Sequence, residues 1–133
     1  MKRVAIYARF STNNQTEKSI VDQVAQCEEF CRKKGWPVFR VYSDSGKSGA
    51  SIHGRPELQA LLQAALKQQF DILLTESMSR VARNIRDRAD IREMLESSEI
   101  SLWTPTGGEV NQLVDEVTSV MDSQYRREIK KTR

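Results

Sequence analysis

The sequence predicts an α/β protein of three layers, with helices on both faces of a mostly parallel sheet in the strand order 2-1-3-4 and room for a further edge strand. Three observations carry that prediction. Strand-like and helix-like segments alternate along the whole chain, which is the pattern of parallel strands joined by helical crossovers. The first strand is a continuous apolar run, as expected of a strand buried on both faces. At 133 residues the chain makes one ordinary domain, large enough to hold a core without a disulfide or metal staple.

The elements follow in order. The stretch Val4 to Thr12 holds the first strand, which ends at Ser11 on the sheet edge, where the turn-forming run Ser11, Thr12, Asn13, Asn14 and Gln15 begins. From Glu17 to Lys34, Ile20, Val24, Cys27 and Cys31 recur with a helical period, widened by Val21 and Phe30. Ser19 with Asp22 resembles a capping box, and Gly35 supplies the stop. Trp36 to Tyr42 is the second strand, with Pro37 tolerated near its start.

Ser43 to Gly54 reads as a mobile, glycine-hinged loop. Its Gly46-Lys47-Ser48 is not a Walker phosphate loop, because Val41 stands where the earlier glycine would be and no helix starts after Ser48. Pro56 opens a second helix with Leu58, Leu61, Leu62 and Ala65 inward. Asp71 to Thr75 is the third strand. Ser79 caps a third helix running to about Ser97, with Val81, Ala82, Ile85, Ala89, Met94 and Leu95 available for burial. Ile100 to Thr104 is the fourth strand, and Thr106-Gly107-Gly108 a turn. Val110, Leu113, Val114, Val117, Val120 and Met121 then form a last helical stripe that fades into the basic run Arg126 to Arg133.

No apolar stretch approaches the roughly 20 residues of a membrane span, and the N-terminus runs directly into a strand, so a soluble, cytoplasmic protein with no membrane partner is expected. Cys27 and Cys31 share a helix face but are too few for a structural zinc site, and are read as reduced, packed thiols. A formal charge of +3 with a pI near 9.0 is only mildly basic. What matters is where the arginines fall.

Arg80 and Arg83 lie one turn apart in the first turns of the predicted third helix, where the dipole disfavours cations. That placement points to a bound oxyanion. Arg83–Asp87, Arg86–Asp90 and Arg92–Glu96 form the competing picture of a solvated, ion-paired face, which suits Arg86 and Arg92 better than Arg80 and Arg83. In a 2-1-3-4 sheet the carboxyl ends of strands one and three form the topological switch point. Arg9, Ser11, Arg80 and Arg83 would meet there, with Arg55 following the glycine-rich loop. A serine among guanidiniums suits phosphoryl transfer better than acyl transfer, since the one histidine, His53, lies in the glycine-rich loop.

Four motifs in this order carry a resemblance: Tyr7 to Gln15, Asp44 to Gly49, Gly54 to Leu58, and Ser79 to Asn84. Together they resemble the catalytic domain of the serine recombinases, the resolvase and invertase superfamily, with spacing similar to the large serine integrases and transposases. The resemblance implies a resolvase-like fold and DNA recombination through a 5'-phosphoserine link, with no metal and no cofactor. It casts Ser11 as the nucleophile, Arg9, Arg55, Arg80 and Arg83 as arginines around the scissile phosphate, and Gln15 as a supporting polar residue. It further implies a catalytic domain over residues 1–109, the start of a long oligomerisation helix over 110–133, and a DNA-binding domain outside this chain. The implied partners are double-stranded DNA and further copies of the chain, a homodimer assembling to a homotetramer through that helix. Arg126 matches an arginine on the family's helix, and Arg127, Lys130 and Lys131 extend the basic tail as DNA contacts. The expected setting is a bacterial nucleoid or a phage-encoded element.

Two positions depart from the family's pattern. Small resolvases carry aspartate where this chain has Ser79, and often an acid where it has Tyr125. The base that takes the Ser11 proton is therefore unassigned, with Asp44 and Glu76 as the carboxylates to weigh; an arginine does not readily serve. The competing functional reading is a non-catalytic module that oligomerises and positions DNA.

Overall fold

The computed structural model describes residues 2–10, 19–45, 54–83 and 85–111. Ser11, Gln15, residues 46–53 of the glycine-rich loop with His53, and residues 112–133, which hold Arg126, Arg127, Lys130, Lys131 and nearly all of the expected C-terminal helix, fall outside them.

Five strands form one sheet in the order β2-β1-β3-β4-β5. The first four, β1 (Val4–Phe10), β2 (Val38–Ser45), β3 (Ile72–Thr75) and β4 (Ser101–Thr104), are parallel, and β5 (Gly108–Val110) pairs antiparallel with β4. The 2-1-3-4 order and the extra edge strand expected from the sequence are both present. Central β1 has Val4 to Ala8 fully buried, whereas Val38 to Val41 of edge strand β2 are exposed.

The two faces of the sheet carry separate cores. Val4, Ile6, Ile72 and Leu74 pack with Cys27 and Cys31 of α1 (Ile20–Lys34). Ala5, Tyr7, Leu73 and Leu102 pack with Leu58, Leu61 and Ala65 of α2 (Pro56–Leu66), Val81 of α3 (Met78–Val81), and Ile91 and Leu95 of α4 (Ile85–Ser97). This split follows from strand alternation, which sends successive side chains to opposite faces.

Helix α1 starts and stops as its sequence dictates. The Ser19 hydroxyl accepts from the Asp22 N–H at 3.1 Å. Gly35 adopts the left-handed conformation at φ 73°, and the Trp36 N–H reaches back to the Cys31 carbonyl at 2.9 Å.

Several expectations change. The third helix is not continuous: α3 is a four-residue helix, Ala82 is extended at φ −154° and ψ 139°, and α4 begins at Ile85. The periodicity misled because Val81 and Ala82 are buried, as a continuous stripe would require. Ser79 lies inside α3 and Ser77 takes the cap position. Arg80 therefore sits in the last turn of a short helix, where a cation is favourable, and Arg83 lies between helices, exposed, rather than one turn along the same face.

The dipole argument for an anion site thus falls. Arg92, assigned to a solvated face, is 7% exposed. Ser43, Asp44 and Ser45 extend β2 instead of opening the loop, because they pair with Ala8, Arg9 and Phe10. Val110 closes β5 rather than starting the last helical stripe. The 105–107 turn makes β5 possible, since a Cβ on Gly107 would lie 2.8 Å from the Thr104 hydroxyl that accepts its N–H.

Candidate active site

The carboxyl ends of β1 and β3 lie side by side, with Tyr7 opposite Thr75. Three arginines from three elements converge there. Arg9, in β1, is 2% exposed; Arg55, at the start of α2, is 3% exposed; Arg80, in α3, is 8% exposed. Burying this much charge is costly unless the donors are used.

Donors of Arg9 and Arg55 are used by main-chain carbonyls that the helix break liberates. Arg9 Nε donates to the Arg80 carbonyl at 3.1 Å and its Nη2 to the Ser79 carbonyl at 3.2 Å, while Arg55 Nη1 donates to the same Arg80 carbonyl at 3.0 Å. In an uninterrupted helix those carbonyls would accept from residues four positions on. The extended Ala82 ends that ladder and turns them into a platform for guanidiniums. Arg88, buried on α4, donates from Nε to the Ala82 carbonyl at 2.9 Å and so satisfies the break itself.

Carboxylates flank the platform. Arg80 Nε pairs with Glu76 Oε2 at 3.0 Å, both side chains mostly buried. Asp44 is committed to structure: Oδ1 accepts from the Glu57 N–H, and Oδ2 accepts from the Leu58 N–H and the Tyr7 hydroxyl. It therefore caps α2 from another element and holds the segment that carries Arg55. Burial, reinforced by the hydrogen bond to Asp44, raises the Tyr7 phenol well above its ordinary range, so Tyr7 stays a neutral donor. On the other face, burial pushes the Cys27 thiol up to about 12 and the Cys31 thiol up to about 11, which marks both as packing groups.

Of the residues singled out in the sequence, Arg9, Arg55 and Arg80 come together and Arg83 stands exposed beside them. Tyr7 and Gln23 were missed as parts of the site, Asp44 was weighed only as a base, and Arg88 was missed altogether. One signal was available: Gln23 is a polar residue four positions before Cys27 and eight before Cys31, on the stripe α1 buries. Asp44 and Arg88 gave no local signal, since each acts on a separate element.

Such a cluster is suited to an anion with several oxygens. Three guanidiniums face two carboxylates, and Arg55 Nε is buried without a hydrogen-bond partner among the described residues. Residues 4–132 match the family Resolvase, N terminal domain. The chain belongs to the resolvase family.

Solved relatives agree with the family in fold. The N-terminal catalytic domain of TP901-1 integrase is similar at a TM-score of 0.75 and 26% identity, covering 96% of this chain and 98% of that one. A resolvase family site-specific recombinase from Streptococcus pneumoniae is similar at a TM-score of 0.74 and 25% identity, covering 99% and 93%. An uncharacterized immunity region protein 3 of Bacillus phage phi105 is 39% identical over 64 residues, covering 47% of this chain and 77% of that protein. The resolvase-family chain is a site-specific recombinase catalytic domain. No group of three or more His, Cys, Asp or Glu suited to a metal occurs among the described residues, and none of their helices is long and apolar enough to cross a membrane.

Proposed function

We propose that this resolvase-family domain cuts and rejoins DNA by transesterification at Ser11. The observation that carries the proposal is the convergence of Arg9, Arg55 and Arg80 at the end of β1, one residue of chain before Ser11. The Ser11 oxygen attacks the scissile phosphorus, the bond to the 3' oxygen breaks, and the phosphate stays on the 5' side as a phosphoserine ester. The serine gives up its proton, and the departing 3' oxygen takes one up. Rejoining reverses the same exchange with a new 3' hydroxyl. One phosphoester replaces another, so no energy-rich cofactor is needed.

The guanidiniums bind and neutralise the non-bridging oxygens, whose charge grows in the transition state. Arg83 and Gln15 are proposed to support the same role. Asp44 is a poor candidate for the base, because both of its oxygens already serve α2 and Tyr7. The tail residues Arg126, Arg127, Lys130 and Lys131 are proposed to contact phosphates, and the C-terminal segment to join copies of the chain into a dimer and then a tetramer.

The test is capture of the covalent intermediate. A supercoiled plasmid carrying the DNA that flanks the protein's own gene is incubated with the full chain, quenched with detergent and examined for protein attached at 5' ends. Ser11→Ala should abolish the adduct. An adduct that persists in Ser11→Ala would remove Ser11 as the nucleophile, and DNA binding without any cutting by the unaltered chain would favour the positioning module.

A further inference from the structure

We propose that Gln23 is a positioning residue for the cleavage reaction, holding the backbone of Arg9 two residues before the nucleophile. The inference rests on the assignment of Ser11 above and adds a residue from the opposite face of the sheet.

Gln23 lies in α1 and is fully buried. An amide removed from water is costly unless both of its ends find partners. Its Oε1 accepts from the Arg9 N–H at 3.0 Å, and its Nε2 donates to the Arg9 carbonyl at 2.8 Å. Both bonds go to the backbone of a single residue. That is the pattern of a hydrogen-bonded antiparallel pair, in which two residues exchange both N–H···O bonds, reproduced here by a side-chain amide.

The sheet explains why a substitute is needed. On the β2 side β1 is paired through Arg9 and Phe10, with Asp44 and Ser45. On the β3 side pairing ends at Tyr7 with Thr75, because the chain turns away toward α3. β1 therefore outruns β3, and the Gln23 side chain takes the place of the missing strand residue. It fixes the main chain of Arg9 two residues before Ser11, while the Arg9 guanidinium is held by the carbonyls of Ser79 and Arg80. One residue is thus anchored from both faces at the point where the chain leaves the sheet.

Without this clamp the strand end gains freedom and the attacking oxygen spends less time in line with the phosphorus. Misplacement of that kind costs about 100-fold in rate. Gln23→Met keeps the length of the side chain and removes both bonds. Single-turnover cleavage of the same plasmid should fall about 10- to 100-fold, with DNA affinity within about twofold of the unaltered chain, as a change in the chemical step and not in binding requires.

Cys27→Ala supplies the structural comparison, since Cys27 is buried one turn further along the same helix face and packs in the apolar cluster of Val4, Ile6, Ile72 and Leu74. It should lower the melting temperature yet retain cleavage well below that temperature. Equal cleavage by Gln23→Met and the unaltered chain overturns the proposal. So does a loss that tracks thermal stability equally in Gln23→Met and Cys27→Ala.

If Gln23→Met does not fold, Gln23→Glu decides the question. Protonated, its carboxyl keeps both bonds, and ionised at higher pH it faces the Arg9 carbonyl without a donor, so cleavage that falls relative to the unaltered chain as pH rises supports the clamp and an identical pH profile overturns it. An adduct that survives Ser11→Ala tells against the nucleophile assignment instead, so the two failures are distinct.

Discussion

Arg3 and Arg9 stand at opposite ends of β1 and meet opposite fates. Arg3 pairs with a carboxylate: Nε lies 3.1 Å from Asp71 Oδ2, its backbone N–H donates to the same oxygen at 2.8 Å, and its side chain is 47% exposed. The guanidinium of Arg9 is buried and donates to neutral carbonyls. The first charge is cancelled locally and bathed in water, while main-chain carbonyls tether the second out of water. A strand end that gathers the buried guanidiniums of Arg9, Arg55 and Arg80 is suited to an anion from outside, and a strand end with a solvated ion pair is simply finished.

The contrast can be broken most directly by exchanging the two losses. Arg9→Ala should lower strand cleavage about 100- to 1,000-fold, in the range seen when one oxyanion donor is removed, and Arg3→Ala should leave cleavage unchanged in the same plasmid assay. Comparable losses from both variants would end the distinction between the two ends.

A smaller effect is expected one step back from the arginines. Asp44→Asn weakens the cap on α2 and the acceptor for Tyr7, so urea unfolding should show a loss of about 1.5 to 3 kcal/mol, typical of hydrogen bonds to a charged group. Tyr7→Phe removes one of the bonds to that carboxylate and should cost about 1 kcal/mol in the same measurement.

The smallest effect belongs to the solvated pair. Asp71→Asn should cost about 0.2 to 1 kcal/mol, less at high salt. Hydrogen bonds from the Arg3 side chain and then its backbone N–H hold the Asp71 carboxyl below its ordinary range. A depressed folded value means the contribution is complete above the unfolded value of about 3.9 and disappears as pH falls through the folded one. Unfolding midpoints of the native chain and Asp71→Asn should therefore converge in acid.

Those tests also separate what could be read in the chain from what could not. The apolar run of β1, the Ser19 and Gly35 signals of α1, Pro56 at the start of α2 and the strand order were all legible, because each depends on local chemistry or on the rule that parallel strands need crossovers. The arginines of the site were legible too, but the dipole argument for Arg80 depended on a helix that the chain interrupts at Ala82. Nothing local marks that interruption, since it is sustained by Arg88, Arg9 and Arg55 reaching carbonyls from elsewhere. Likewise β5 was hidden, because three residues give too short a pattern to oppose the apolar stripe that Val110 also fits.

The interruption between α3 and α4 has a consequence for anyone engineering this protein. A search for thermostability that scores helical propensity would favour healing the gap, and the healed helix would satisfy its own carbonyls. Arg9 and Arg55 would then lose their shared anchor, and the more stable protein would have surrendered the arrangement of its arginine cluster. Selection for heat resistance alone is expected to favour that trade, so any stabilised variant has to be screened for cleavage alongside melting temperature.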